Sequence, residues 1–251
     1  MAGIILHKHK NRAMIFSNKS ANQKSCRKEK GRKIMSFNIA IDGPAGAGKS
    51  TIAKMIAKKL GYIYVDTGAM YRAMTLYLIR EKVAPSEADK ISAKCKEADI
   101  SIGYENGEQV VYLNGENVNG LIRTEEVGNM ASASSPNPDV RRKLVELQQK
   151  LAQEADVVMD GRDIGTCVLP NAQVKVYLTA DSRVRAERRY KELTDKGVSC
   201  DLDTIEKDII ERDHQDMTRE ISPLTQAEDA TLVDSSYMTI DEVADAIIAL
   251  I

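Results

Sequence analysis

The sequence lacks any long hydrophobic run, and this absence argues against a protein that spans a membrane with helices. A membrane-spanning helix needs roughly 18 to 20 consecutive apolar residues. No stretch of the 251 residues approaches that length, although 43% of the chain is hydrophobic. We therefore expect no membrane partner. A chain of this length can bury a complete core, either as one large domain or as a domain with insertions.

Cysteine is scarce and scattered. The four cysteines lie far apart in the sequence and include no C-x-x-C pair. This spacing argues against both a disulfide framework and a structural zinc site. We expect reduced thiols and a cytoplasmic protein.

Acidic residues are nearly absent from the first 35 positions. This tail holds ten Lys or Arg and one acid, Glu29, whereas the whole chain has a formal charge of -1, so the body that follows is acidic. Three interpretations are open: a nucleic-acid-binding arm, a transit-type leader, or an extension upstream of a natural start at Met35. We favour the last interpretation, a disordered extension upstream of Met35, because compact patterning begins directly after Met35 and the tail has no pattern of aromatic residues for stacking on bases.

The most informative stretch is a glycine-rich loop. Positions 43–50 match the phosphate-binding pattern G-x-x-x-x-G-K-[ST] at every fixed position. A strand pattern precedes the loop and a helical pattern follows it, so backbone N–H groups and the helix N-terminus together form a nest for polyphosphate. A turn that merely caps a helix is the alternative. We expect nucleotide binding by Gly43, Pro44, Ala45, Gly46, Ala47, Gly48, Lys49, Ser50 and Thr51.

Two side chains of this loop have specific expected roles. Lys49 is expected to bridge β- and γ-phosphate oxygens, and the Ser50 hydroxyl to hold Mg²⁺ against the same oxygens. Further along the chain, the apolar run 157–159 ends in Asp160, in the manner of a Walker-B strand. We expect this carboxylate to reach the same Mg²⁺ directly or through water.

Strand and helix patterns alternate through the body and predict an α/β fold. Apolar strands are predicted at 37–41, 62–65, 157–160, 174–178 and 231–234, and helices after the loop and at 69–81, 85–98, 139–153, 181–193, 201–216 and 240–251. This alternation predicts a parallel sheet with helices on both faces. Between 100 and 120, Asn-Gly pairs at 106–107 and 114–115 predict short hairpins in a separate antiparallel insertion.

The body lacks the signatures of other classes of nucleotide-binding protein. It has no Asn-Lys-x-Asp guanine-reading motif of a GTPase and no signature of a transporter ATPase. Arginines instead follow or flank the core elements. Because guanidinium groups bind phosphate bidentately, they favour a phosphorylated acceptor; they are Arg72, Arg141, Arg162, Arg212 and Arg219.

Several motifs together resemble bacterial-type cytidylate kinases. Besides 43–51, they are Asp-Thr-Gly-Ala-Met-Tyr-Arg at 66–72, Ile-Arg-Thr-Glu-Glu-Val at 122–127, Asp-Gly-Arg-Asp-Ile-Gly-Thr at 160–166 and Glu-Arg-Asp at 211–213. The resemblance covers about residues 37–251. It implies the nucleoside monophosphate kinase fold over 36–251: a five-stranded parallel sheet flanked by helices, a monophosphate-binding insertion at about 67–135, and a helical lid at about 181–200.

The resemblance also implies an activity and a set of partners. The activity is phosphorylation of CMP and dCMP by ATP, with Mg²⁺, in pyrimidine nucleotide metabolism. A cytoplasmic monomer that binds no nucleic acid is implied as well. Two alternatives remain open: another small phosphate-loop kinase, acting on UMP, AMP or shikimate, and a nucleotide-binding regulator whose basic tail binds nucleic acid.

Roles for individual side chains follow from the same resemblance. Cytosine is read by Ser132, Arg141 and Asp163, and the sugar hydroxyls are met by Arg212 and Asp216. The acceptor phosphate is held by Arg72, Arg162 and Arg219, with Tyr71 and Thr67 at the same end, although the family usually has Ser at position 67. On the lid, one or two of Arg185, Arg188 and Arg189 close onto the ATP phosphates. The catalytic side chains implied are Lys49, Arg72, Arg162, Arg188 and Arg219.

Overall fold

The computed structural model describes residues 36–105 and 107–251, so the predicted disordered tail lies outside the described residues. Within them the strands are β1 Asn38–Asp42, β2 Ile63–Asp66, β3 Ile100–Glu105, β4 Glu108–Leu113, β5 Glu116–Asn117, β6 Val157–Gly161, β7 Val174–Thr179 and β8 Thr231–Asp234. The helices are α1 Lys49–Leu60, α2 Thr67–Arg80, α3 Ala88–Lys94, α4 Glu125–Ser134, α5 Pro138–Glu154, α6 Ser182–Asp195, α7 Leu202–Thr218 and α8 Ile240–Ile248. None of these helices is long and apolar enough to cross a membrane.

The central sheet confirms the prediction of five parallel strands. Its order is β2-β6-β1-β7-β8, and every pairing is parallel. Apolar side chains alternate between its two faces. Val65 and Met159 face one apolar cluster with α2 and α5, whereas Ile39, Ile41 and residues of α1 and α8 form the other. Because both faces are covered, the inner strands are apolar almost throughout.

The carboxyl ends of three strands bring three carboxylates to one edge of the sheet. Asp42 ends β1, Asp66 ends β2, and Asp160 lies near the end of β6, where it pairs in register with Asp66. All three are buried. Ligands of open parallel sheets bind beyond this edge, so the topology places the functional side chains there.

The predicted antiparallel insertion is confirmed, and its docking point is specific. Gly107, Asn114 and Gly115 have positive φ angles, as the hairpin turns require. The three strands have the order β3-β4-β5. Gln109 of β4 accepts from the backbone N–H of Asp66 at 2.8 Å and donates to its carbonyl at 3.3 Å. The insertion is therefore fixed to the carboxyl edge of the sheet through the end of β2.

Helix boundaries differ from the sequence prediction in several places. The helix predicted at 85–98 covers only Ala88–Lys94, because residues 84–87 form a turn in which Glu87 and Ala84 exchange hydrogen bonds. The last helix ends at Ile248 rather than at 251. Helix α4 was not predicted; its start depends on the Thr124 hydroxyl, which accepts from the Val127 N–H at 3.3 Å.

Candidate active site

A cavity of about 740 Å³ lies beyond the carboxyl ends of the central strands. Its wall contains every predicted site residue except Gly43 and Pro44. The wall is built from the glycine-rich loop, the starts of α2 and α5, the end of β6, helices α4, α6 and α7, and the segment that leads into α8. Residues that are distant in sequence are thus brought together around one space.

Gly43 and Pro44 do not line the cavity but determine the backbone conformation of the loop. A Cβ atom on Gly43 would lie 1.9 Å from the carbonyl oxygen of Leu178 in β7, and its φ of 147° is rarely adopted by other residues. Only glycine allows this close approach of loop and strand. The Pro44 carbonyl accepts a hydrogen bond from Lys49 Nζ at 2.7 Å. These two residues fix the course of the backbone, while the residues after them face the cavity.

Lys49 is buried among charged groups of both signs. The residue is only about 6% exposed. Burial lowers its pKa and the nearby positive charge of Arg162 acts in the same direction, whereas Asp160, Asp42 and Asp216 oppose this change only in part. An anionic phosphate beside Nζ would favour the charged form again. The electrostatics around Lys49 therefore favour binding of a negatively charged ligand at the loop.

Ser50 and Asp160 form an oxygen-bearing pair at the mouth of the loop. Ser50 Oγ donates to Asp160 Oδ2 at 2.9 Å, and the Tyr64 hydroxyl donates to Asp160 Oδ1 at 2.9 Å. Burial and the neighbouring charge of Asp66 raise the pKa of Asp160. Hydroxyl and carboxylate oxygens suit Mg²⁺. Within residues 36–105 and 107–251 no group of three or more His, Cys, Asp or Glu is arranged to hold a metal, so phosphate and water oxygens would complete such a site.

Three arginines of the cavity wall are held by carboxylates, and two of them keep donors without a partner. Arg162 Nε donates to Asp216 at 2.7 Å, and Arg72 lies 3.6 Å from Asp66. Arg219 lies 3.8 Å from Asp163 and 3.9 Å from Asp216. Arg72 Nε and Arg219 Nη2 are buried and form no hydrogen bond with any other group in the described part of the chain. Buried donors without partners are costly, and an anion in the cavity would satisfy them.

The predicted phosphate contacts of Tyr71 and Thr67 are unequal. The Tyr71 hydroxyl is buried and has no hydrogen-bond partner among the described residues, so it is available to a ligand. The Thr67 hydroxyl already donates to the Asp160 carbonyl at 2.7 Å. Thr67 therefore joins the start of α2 to β6 through its hydroxyl, and its predicted role toward phosphate stays a prediction.

The predicted base-reading residues divide into a buried pair and a separate serine. Arg141 and Asp163 form a hydrogen-bonded ion pair, with both side chains less than 8% exposed. The Arg141 guanidinium also lies 5.8 Å from the centre of the Tyr71 ring. Ser132 lies on α4, where its hydroxyl is 3.4 Å from Arg212 Nη2. All of these side chains line the cavity, so the described structure brings the predicted set together around one space.

The position of Asp163 depends on a turn that was not predicted. Residues 164–168 form one π-helical turn, and the Asp42 carboxylate accepts from the N–H groups of Ile164 and Gly165, both at 2.7 Å. Burial raises the pKa of Asp42 to about 6. The turn is short and contains no helical repeat of apolar residues, so sequence periodicity gave no signal for it.

The three lid arginines form different contacts. Arg185 is buried and donates to the carbonyls of Ala180 and Ala45 at 2.8 and 2.9 Å. Arg188 donates to the Ser235 carbonyl at 2.7 Å, and Arg189 pairs with Glu192 at 2.7 Å. All three line the cavity. Their closure onto a nucleotide stays a prediction.

Some cavity residues had no predicted role in the site. Arg123 contacts Asp66 at 2.9 Å, although 63% of its side chain is exposed. Arg123 lies in the motif at 122–127, so this motif was the signal that could have identified it.

An apolar part of the wall follows β8 and contains Met238, Ile240 and Val243. Its residues belong to the last predicted helix and the segment before it, and their helical pattern indicated packing rather than a ligand.

Comparisons with known proteins agree on one family. The family described as Cytidylate kinase matches residues 39–251 of the chain. A cytidylate kinase of Listeria innocua is 53% identical over 213 residues, which cover 84% of this chain and 94% of that protein. Cytidylate kinases of Caldicellulosiruptor bescii and Ligilactobacillus salivarius are 49% and 48% identical, covering 85% and 87% of this chain and 95% and 97% of theirs.

Proposed function

The chain belongs to the cytidylate kinase family, and we propose that it transfers the γ-phosphoryl group of ATP to CMP, giving ADP and CDP. One observation carries the proposal. A single cavity is lined both by the phosphate-binding loop and by arginines whose buried donors have no partner among the described residues. A donor polyphosphate and an acceptor monophosphate fit these two sets of groups.

Catalysis rests on position and charge. The acceptor phosphate oxygen is already anionic near neutral pH, so this chain needs no general base. Lys49 exchanges its bond to the Pro44 carbonyl for β- and γ-phosphate oxygens. Arg72, Arg162 and Arg219 hold the acceptor phosphate and offset the negative charge that gathers between the two substrates.

We include Mg²⁺ in the proposal because the residues present fit it. Ser50 and Asp160 would hold the ion, directly or through water. Bound Mg²⁺ supplies charge neutralisation on the β- and γ-phosphates. In this arrangement Tyr64 fixes the Asp160 carboxylate through its other oxygen.

The buried pair of Arg141 and Asp163 supports cytosine as the base. The Asp163 carboxylate accepts from the exocyclic amine of cytosine, while Arg141 and Ser132 donate to its ring nitrogen and carbonyl. Uracil has a carbonyl in place of the amine, so a second acceptor would face the carboxylate. Arg212 and Asp216 are proposed to bind the sugar hydroxyls. Because dCMP lacks the 2′-hydroxyl, it is proposed as a weaker acceptor.

The remaining parts of the proposal concern organisation. Residues 67–135 form the monophosphate-binding insertion, and residues 181–200 form a lid whose Arg185 and Arg188 serve the ATP site. We further propose a cytoplasmic monomer that binds no nucleic acid. The sedimentation behaviour of the full chain, with and without DNA, tests the last two points.

A coupled assay of ADP release tests the activity. Purified protein with ATP and Mg²⁺ is supplied with CMP, dCMP, UMP, AMP or no acceptor, and a Lys49→Met variant serves as the inactive reference. We expect ADP release that depends on CMP, weaker release with dCMP, and little with UMP, AMP or no acceptor. Hydrolysis independent of the acceptor, or a preference for UMP or AMP, would contradict the proposal.

A further inference from the structure

Two buried side chains of opposite charge hold the backbone of one residue, Ala45, in the phosphate-binding loop. Arg185 of α6 and Asp213 of α7 are only about 6% and 8% exposed. Arg185 Nη1 donates to the Ala45 carbonyl at 2.9 Å and to Asp213 Oδ2 at 2.6 Å. The other oxygen, Asp213 Oδ1, accepts from the Ala45 N–H at 3.3 Å. The pair therefore binds both polar groups of Ala45.

These contacts leave Arg185 little freedom to move onto a ligand. Its Nε donates to the Ala180 carbonyl at 2.8 Å, at the residue that follows β7. Its Cβ lies 3.4 Å from the point where a side chain on Gly46 would begin, so it also packs against the loop. Moving the guanidinium toward a nucleotide would break three hydrogen bonds and leave Asp213 buried without its partner, which is strongly unfavourable.

We propose that Arg185 and Asp213 are positioning residues that set the conformation of the phosphate-binding loop, and that Arg185 is not itself a phosphate ligand. This inference rests on the proposed function, because it assumes that the loop binds ATP. It assigns Asp213 a role in binding ATP through the loop. It also replaces the predicted role of Arg185 as a phosphate ligand with a positioning role.

The opposite charges make the arrangement compatible with a polyphosphate. A lone carboxylate beside the loop would repel the nucleotide, and a lone guanidinium would attract it at the wrong point. Paired, they leave little net charge behind Ala45 and act through hydrogen bonds on its backbone. The N–H and the carbonyl of Ala45 are thereby both hydrogen-bonded within the protein.

The neighbouring ion pairs between the same two helices provide matched controls. Arg183 of α6 contacts Asp203 of α7 at 2.6 Å, but it is half-exposed. Neither residue lines the cavity. Arg183→Lys and Asp203→Asn therefore perturb the α6–α7 contact with the same substitutions as Arg185→Lys and Asp213→Asn, while leaving the loop untouched.

The test is calorimetric titration with the β,γ-imido analogue of ATP and, separately, with CMP. We expect Arg185→Lys and Asp213→Asn each to weaken binding of the analogue about tenfold, with the Kd for CMP changed less than about twofold. The double variant should bind no more weakly than the worse single variant, because both changes break one unit. The two control variants should bind both ligands as the unsubstituted protein does.

Asp213→Asn distinguishes positioning from direct contact. If Arg185 is a phosphate ligand held back by Asp213, removing the carboxylate charge releases it, and analogue binding stays equal or becomes tighter. That outcome overturns the inference, as do unchanged binding in both variants and equal losses for analogue and CMP. If circular dichroism shows that Asp213→Asn is unfolded, Asp213→Glu replaces it with the same expectation, because its longer side chain displaces the carboxylate from Ala45.

The inference and the proposed function can fail separately. An unsubstituted protein that releases no ADP in response to CMP contradicts the proposed function, whatever the variants do. An active unsubstituted protein whose Arg185 and Asp213 variants keep full analogue affinity contradicts only the inference.

Discussion

Tyr64 donates its phenolic hydrogen to Asp160 at 2.9 Å, so the carboxylate at the mouth of the phosphate-binding loop is held on both oxygens. Tyr64 lies on β2, and Asp160 on the adjacent β6. Burial raises the pKa of the Tyr64 hydroxyl far above its usual range, so the hydroxyl stays protonated and can donate. The carboxylate that we propose as a Mg²⁺ ligand is thus oriented by a residue on a neighbouring strand.

Tyr64→Phe is expected to weaken the use of Mg²⁺ while preserving the fold. Without the hydroxyl, one oxygen of a buried carboxylate loses its donor, and the pKa of Asp160 rises further. We expect the Mg²⁺ concentration that gives half-maximal rate to increase about tenfold, measured at fixed ATP and CMP. Tyr104→Phe is the control, since its hydroxyl donates to the Tyr64 carbonyl at 2.9 Å and does not contact Asp160. An unaltered Mg²⁺ dependence in Tyr64→Phe would contradict the role of the Tyr64 hydroxyl in orienting Asp160.

Asp163→Asn is expected to narrow the preference for CMP over UMP. The amide can donate to the uracil carbonyl, whereas the carboxylate only accepts, so the penalty against uracil falls. We expect the ratio of kcat/KM for CMP and UMP to decrease at least about tenfold. Asparagine is preferred to alanine because alanine would leave the buried Arg141 without a partner, at a cost of about 3–5 kcal/mol. A ratio that stays at its original value would show that another group reads the base.

Asp42 gives the stability of the protein a defined dependence on pH. Its pKa is about 6 in the folded protein and 3.8 in the unfolded chain, so the folded state holds the proton more tightly. The resulting stabilisation is complete below pH 4 and is lost as the pH rises through 6. The unfolding free energy of the unsubstituted protein minus that of Asp42→Asn should decrease by up to about 3 kcal/mol between pH 4 and 7.

Urea unfolding at several pH values measures this difference. Asp229→Asn offers a comparison of opposite sign, because hydrogen bonding to Lys175 lowers the pKa of Asp229. Its stabilising contribution is present above the unfolded pKa and is lost as the pH falls. A constant difference between the unsubstituted protein and Asp42→Asn across the range would contradict the assignment of a raised pKa to Asp42.

Gln148→Met is expected to stabilise the protein. Gln148 of α5 is fully buried, and within residues 36–105 and 107–251 neither polar atom of its amide forms a hydrogen bond. Replacing it with an unbranched apolar side chain of similar size removes a desolvation cost of about 1–3 kcal/mol. The free energy of unfolding and Tm should both increase.

The adjacent residue provides the matched control for this substitution. Gln149 donates to the Val168 carbonyl at 3.1 Å, so Gln149→Met should lower stability by about 1 kcal/mol. Equal or reversed effects of the two substitutions would show that the amide of Gln148 is satisfied in solution.

Sequence reasoning succeeded where one local pattern determines an element. The loop with Lys49 and Ser50 has a fixed spacing, and strands buried on both faces have nearly continuous apolar runs, so the main sheet was predicted closely. The hairpins followed from Asn-Gly pairs that favour positive φ. In each case the local preference and the final structure agree.

Sequence reasoning failed where a distant contact decides the local structure. Helix α4 has only two buried residues, Val127 and Ser134, too few to make an apolar stripe. The turn after Asp163 exists because Asp42, more than a hundred residues earlier, accepts from its N–H groups. Likewise, nothing in the pattern around Arg185 indicated that its guanidinium would be enclosed by Ala45 and Asp213. Such contacts exist only once the chain has folded.

The bond between Asp42 and the turn after Asp163 has a consequence for how two substrates meet. Asp42 directly precedes Gly43, where the phosphate-binding loop begins, while its carboxylate holds the turn that follows Asp163. In the proposed function, one side chain on the central strand therefore links the part of the cavity assigned to the donor nucleotide with the part assigned to the acceptor base. On that proposal the central sheet sets how far the two substrates lie apart, and the insertion and the lid are needed only to enclose them.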